Sequence, residues 1–247
     1  MPKQKLEICC YTVESALLAE EAGADRIELC DNFPEGGTTP SFAAIEMAVQ
    51  KLTIPVNVIV RPRGGDFLYS ETEFEIIKRD VAKIAELNVN GIVVGFLNAD
   101  GTIDTERTAT IAEMAKPMEV TFHRAFDMCR DPFQALGQLK SIGIKRILTS
   151  GGKNKAAKGL ELLAELVKKA GEDIIIMPGS GVNHKNIESI LEQTRAVEFH
   201  SSAKTFLKSK MRCFNDAIDM GGNGNGDEYS IISVDTEMIS KMATAIK

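Results

Sequence analysis

The sequence predicts a single (β/α)8 TIM barrel with a short C-terminal extension, on three observations. Eight short β-branched runs alternate with amphipathic runs along the 247 residues, the pattern of a parallel sheet covered by helices. The spacing of roughly 30 residues, repeated eight times, supplies the strand number that closes such a sheet into a barrel. No GxGxxG follows the first run, where CYTVES (10–15) has no glycine, which argues against an open dinucleotide-binding sheet.

In chain order the strands are LEICC (6–10), RIELC (26–30), VNVIV (56–60), GIVV (91–94), MEVTF (118–122), RILTS (146–150), DIIIM (173–177) and AVEFH (196–200). The segments between them carry apolar residues at helical spacing with charge on the opposite face. Thr12, Ser70, Asp104, Asp131 and Asn183 sit where helix N-caps are expected. After Ser202 the pattern weakens. KTFLKSKMRCF (204–214) reads as an eighth helix or a loop, and GGNGNGDE (221–228) as a mobile Gly/Asn-rich connection. IISVDTEMISKMATAIK (231–247) reads as an extended piece, a cap at Asp235 and a closing helix. One domain over 1–247 results, with its barrel at about 6–215 and the Gly-rich loop and closing helix at 221–247.

Composition narrows the function. The net charge is −6, without the basic excess that a nucleic-acid or anionic-membrane surface needs. No apolar run approaches the roughly 18–20 residues of a membrane span, and the start, MPKQKLEICCY, lacks the apolar core of a signal peptide. Five cysteines, at 9, 10, 30, 129 and 213, form neither a disulfide framework nor a zinc pattern. A cytoplasmic protein with reduced thiols is expected.

Strand parity assigns the two faces. Leu6, Ile8, Ile27, Leu29, Val58, Val60, Val120, Phe122, Val197 and Phe199 fall on the face expected to pack against helices. Glu7, Cys9, Glu28, Cys30, Asn57, Ile59, Arg61, Thr121, His123, Ile147, Thr149, Glu198 and His200 fall on the lumen face. A polar lumen of this kind is either an ion-pair network that fills space or a site at the C-terminal strand ends, where barrel enzymes keep theirs. Glu7, Glu28, Arg61 and His123 are the candidate acid, base and electrostatic clamp. Three loops rich in small residues, TSGGK (149–153), PGSGV (178–182) and HSSA (200–203), let backbone N–H groups approach an anion. They make Thr149, Ser150, Gly151, Gly152, Gly179, Ser180, Gly181 and Ser201 the candidate anion-binding residues. A small phosphorylated or carboxylated metabolite, taken by an isomerase or lyase, fits that combination. No HExxH, Walker motif or strand-end lysine suited to a Schiff base selects a reaction. In RPRGGDF (61–67), Arg61 is expected in the pocket; Arg63 is left open between pocket and solvent.

The runs ESA (14–16), AGADRIELC (22–30), EGGTTPS (35–41), RPRGGDF (61–67), TFHRAFD (121–127), ILTSGG (147–152), GSGV (179–182) and EFHSSA (198–203) together resemble the CutC family. The likeness runs from about Leu6 to Ala203 and covers all eight strands in order. The resemblance implies a TIM barrel, a cytoplasmic location, a homodimer and a copper-binding role. The Gly-rich run 221–226 is less typical of the family, and nothing is carried over onto it. Cys9 and Cys30 match cysteines proposed as copper ligands there. Parity puts both on the lumen face of adjacent strands about 4.8 Å apart, and thiolates suit Cu(I). Cys10 points the other way, and Cys129 lies in the loop after strand five. The alternative is that Cys9 and Cys30 are small buried hydrophobes.

Overall fold

The computed structural model describes residues 4–215, 217, 218, 220 and 228–247; the Gly-rich run 221–226 lies outside them. Eight parallel strands form the barrel wall: β1 (Lys5–Cys10), β2 (Arg26–Leu29), β3 (Val56–Ile59), β4 (Gly91–Val94), β5 (Glu119–Phe122), β6 (Arg146–Thr149), β7 (Ile175–Pro178) and β8 (Glu198–Ser201). Their order is β7-β6-β5-β4-β3-β2-β1-β8. The remaining seam, between β7 and β8, is bridged by the Ser201 hydroxyl, which donates to the Val182 carbonyl (2.6 Å). The barrel is therefore nearly closed.

Seven helices follow the first seven strands: α1 (Val13–Glu21), α2 (Phe42–Lys51), α3 (Glu71–Ala85), α4 (Thr105–Met114), α5 (Pro132–Ile142), α6 (Leu160–Ala170) and α7 (Ile187–Thr194). Thr12, Ser70, Asp104 and Asp131 cap α1, α3, α4 and α5 through their side chains, satisfying N–H groups that a helix start otherwise leaves bare. Asn183 does not cap a helix. Its Oδ1 accepts from the Lys185 N–H (2.9 Å), so it organises the turn before α7, whose N-cap position is Asn186.

The segment after β8 departs from both expectations. KTFLK forms β9 (Lys204–Lys208), which pairs antiparallel with β10 (Ser230–Val234). Aromatic and β-branched residues without a helix cap favour that extended pairing. The excursion begins and ends at one point, where the Asp235 N–H donates to the Ala203 carbonyl (2.7 Å). Asp235 then caps α8 (Thr236–Ala245), which packs against α1, α7 and β1. The barrel does not end near residue 215: its eighth ring helix is α8, delayed by the hairpin.

Parity holds on most strands. Leu6, Ile8, Ile27, Leu29, Val58, Val60, Val120, Phe122 and Phe199 all join the apolar layer between strands and helices. Val197 is half-buried and stays outside that layer, because it precedes β8 at the open end of the strand. On β6 the assignment reverses. Arg146 lies opposite Thr121, and directly paired residues share a face. Arg146 and Leu148 therefore enter the lumen, and Ile147 packs outward in the main core.

Candidate active site and metal centre

The lower lumen is an ion-pair ladder. Arg26 donates to Glu7 (Nε–Oε2, 2.5 Å) and to Glu198 (2.5 Å). Arg146 continues it to Glu198 (3.0 Å) and to Glu119 (2.7 Å). Glu7 also accepts from Asn57 (3.1 Å) and pairs with His200 Nδ1 (2.8 Å). Burial works against its charge, but Arg26 and His200 outweigh it and hold the Glu7 carboxyl well below its ordinary range. Its oxygens are fully engaged, so Glu7 orients His200. Sequence reasoning passed over Arg26 and Arg146. Arg26 shares parity with Glu28 and Cys30 and was legible on that ground; Arg146 was hidden by the inverted parity of β6.

Above the ladder the structure brings Cys9, Cys30, Glu28 and His200 together. The two sulfurs are 3.4 Å apart. Ligand atoms of Cys9, Glu28 and Cys30 lie within 4.8 Å of one another, as do those of Glu7, Glu28 and His200. The hydrogen bond between the two sulfurs, with help from His200 and against burial, pulls the Cys9 thiol down to about 5. Burial, then the neighbouring Cys9 charge, pushes Cys30 well above the usual thiol value. Glu28 is raised for the same two reasons. Burial opposes a charged His200, but its hydrogen bonds to Cys9 and Glu7 raise it well above the ordinary imidazole range. The shifts run in opposite directions on neighbouring groups and favour negative charge on Cys9 with the protons on Cys30, Glu28 and His200. Cys10 turns into the outer apolar layer, as parity required.

His123 and Arg61 stand apart from this cluster, higher on the wall of the same cavity. His123 caps the 3-10 turn Arg124–Met128, and its Nδ1 accepts from the Ala125 N–H (3.1 Å). That bond leaves the ring proton on Nε2. Burial, reinforced by Arg61, lowers the His123 pKa to about 3, so the ring is neutral. The imidazole fits because residue 95 is glycine: a Cβ there would lie 2.4 Å from Nδ1. Arg61 donates to the carbonyls of Glu35 (2.7 Å), Gly37 (2.9 Å) and Gly65 (2.8 Å) rather than to a lumen glutamate. Arg63 pairs with Glu73 (2.5 Å) and Asp66 (3.1 Å) on the surface.

The glycine loops are partly spoken for. The loop after β6 is filled by an anion of the chain itself. Asp127 accepts from Thr149 Oγ1 (2.5 Å), from the Ser150 N–H (3.0 Å) and from the Gly152 N–H (3.1 Å), and Arg124 pairs with it at 2.8 Å. Gly151 N–H donates to Thr149 Oγ1 (3.0 Å). Thr149, Ser150 and Gly152 thus bind a carboxylate, as small-residue nests do, with Gly151 supporting Thr149, but that carboxylate comes from the TFHRAFD motif. Gly179 N–H donates to the Thr149 carbonyl (2.9 Å), and Ser201 closes the seam. Ser180 and Gly181, both with positive φ (70° and 73°), remain at the rim. Asp127→Ala should leave three donors and Arg124 without their acceptor. At roughly 2–4 kcal/mol for such groups, Tm should fall by about 4–16 °C in a thermal melt, with Asp127→Asn losing less.

Fold and site define a TIM-barrel protein with a paired-cysteine pocket at the C-terminal strand ends. The CutC family model matches residues 4–205, and the chain belongs to that family. A CutC family protein of Parabacteroides distasonis is 48% identical over 239 residues, covering 96% of this chain and 98% of its own. A human protein named copper homeostasis protein cutC homolog is 43% identical, covering 98% and 89%. The crystal structure of a putative copper homeostasis protein CutC from Streptococcus agalactiae superposes with a TM-score of 0.78 at 33% identity, covering 81% of this chain and 98% of that one. Phosphoribosyl anthranilate isomerase from Thermotoga maritima shares the fold at a TM-score of 0.61 and 15% identity, covering 98% of each chain.

Proposed function

We propose that this chain serves copper homeostasis by binding one Cu(I) ion between Cys9 and Cys30. The observation that carries the reading is the pair of buried sulfurs 3.4 Å apart, one of which, that of Cys9, belongs to a residue lining an open cavity. Two soft donors of this kind prefer Cu(I) over hard cations. With a metal–sulfur bond of about 2.3 Å, sulfurs 3.4 Å apart suit a bent site with a third donor. A linear site would need about 4.6 Å and a turn of one cysteine side chain. His200, which hydrogen-bonds Cys9, offsets part of the added thiolate charge. The five cysteines are free, and no helix among the described residues is long and apolar enough to cross a membrane. A reducing compartment, the cytoplasm, suits such a thiol site.

Anaerobic titration of the reduced protein against a chromophoric Cu(I) chelator should give one ion per chain. With Cys9 lowered to about 5 and Cys30 raised well above the usual thiol value, binding should release about one proton per ion. Affinity should weaken about tenfold per pH unit lowered between 8 and 6, and more steeply below 5, where Cys9 also takes up a proton. Loss of competition with the chelator, or an affinity flat with pH, would overturn the assignment.

A further inference from the structure

The copper site uses only the floor of a cavity of about 580 Å³, within the range of small-molecule sites. Its upper half has a different chemistry. Four buried side-chain polar atoms lack a hydrogen-bond partner among the described residues, and two of them, His123 Nε2 and Arg61 Nε, belong to residues that line this cavity. Both residues are at least nine-tenths buried, and both flank the Phe67 ring, at 4.8 Å for His123 and 5.2 Å for Arg61. Buried donors are normally satisfied, so the His123 Nε2–H left bare on this cavity points to a ligand that supplies an acceptor.

The charge around them agrees. Arg61, Arg124, Lys155 and Lys204 line the cavity, and Glu28 is the one carboxyl group among the residues that line it with them. Arg124 is paired with Asp127. Arg61 donates to the carbonyls of Glu35, Gly37 and Gly65, and Lys204 lies over the Phe33 ring at 4.4 Å. Lys155 packs beside Gly181, where an added Cβ would touch its chain at 3.1 Å. On a chain of net charge −6, this is a local positive mouth, which draws anions. Its lysines stand beside the loops after β7 and β8, where barrels commonly hold phosphate.

We propose that the upper cavity binds a small organic phosphate, with the phosphate held at the rim by Lys155, Lys204 and the Ser180–Gly181 turn. A second oxygen of the ligand, carbonyl or hydroxyl, accepts from His123 Nε2–H. The loop after β6 takes no part, because Asp127 fills it. This site is independent of the thiols below it.

The test uses the metal-free, reduced full chain with inorganic phosphate and glycerol 3-phosphate as probes, and acetate at equal ionic strength as control. Glycerol 3-phosphate at ten times its Kd should raise Tm by about 3–5 °C and move the His123 Nε2 resonance in a ¹⁵N-histidine spectrum. Inorganic phosphate should stabilise less and leave that resonance in place. Lys155→Ala/Lys204→Ala, two exposed positions, should weaken both probes at least tenfold and keep Cu(I) binding. Cys9→Ser/Cys30→Ser should bind the probes as the native chain does, which separates this site from the copper reading. No stabilisation by either phosphate at 20 mM (about twentyfold over a millimolar Kd), equal stabilisation by acetate, or undiminished binding in the double lysine variant would each overturn the proposal. So would a His123 resonance that glycerol 3-phosphate leaves unmoved.

Discussion

Replacing Cys9 and Cys30 together by serine should lower Cu(I) affinity by at least about a thousandfold. Changing groups that only support a ligand already costs roughly 10–100-fold in metal affinity, and serine substitutes a hard hydroxyl for each soft thiolate. Cys10→Ser and Cys213→Ser should keep full stoichiometry. Cys10 faces the outer apolar layer and Cys213 is exposed, so neither sulfur reaches the cavity. His200→Gln should fall between these limits, about 10–100-fold weaker, because it removes the charge beside Cys9 and leaves both sulfurs. The measurement is competition with a chromophoric chelator under reducing, anaerobic conditions. Full stoichiometry in the double serine variant would remove copper from this site and leave the cavity to its phosphate ligand.

Arg26→Met should be the most damaging single change to the fold. It strips the guanidinium from two buried carboxylates, Glu7 and Glu198, which it holds at 2.5 Å each. Breaking a buried pair from one side costs about 3–5 kcal/mol, or roughly 6–20 °C in Tm for a chain of this size. Arg79→Met makes the control: its pair with Glu75 is largely exposed, and such pairs contribute at most about 1 kcal/mol. The penalty should also depend on pH in a fixed direction. Glu7 and Glu198 both sit below their unfolded value of 4.5 in the native chain. Their contribution is complete above that value and fades as pH falls through the folded pKa values. In Arg26→Met the two acids can protonate earlier, so its deficit should be largest near pH 7 and smaller near pH 4. Chemical denaturation at both pH values measures this, and a deficit unchanged with pH would mean that lost packing, not the ion pairs, is its source.

Strand identity and facing were legible in the sequence because both are local. A period of two puts Glu7 with Cys9 and Glu28 with Cys30 whatever the rest of the chain does, and eight such runs spaced by helices specify a barrel. The same parity carried Cys9 and Cys30 to the lumen, and motifs such as TFHRAFD and RPRGGDF carried the family. What parity cannot supply is register and distance between strands. The pairing of Thr121 with Arg146, not the composition of RILTS, turned β6 over and put a second arginine beneath Glu198. The 3.4 Å approach of two sulfurs, 21 positions apart in the chain, depends on rotamers that only neighbouring strands select. Asp127 shows the same limit from the other side. The TSGGK loop reads as an anion site for a ligand, and only its meeting with the TFHRAFD motif across β5 and β6 shows that the chain fills that loop itself. Local pattern determined which residues this protein turns inward; the stagger of its strands decided which of them meet.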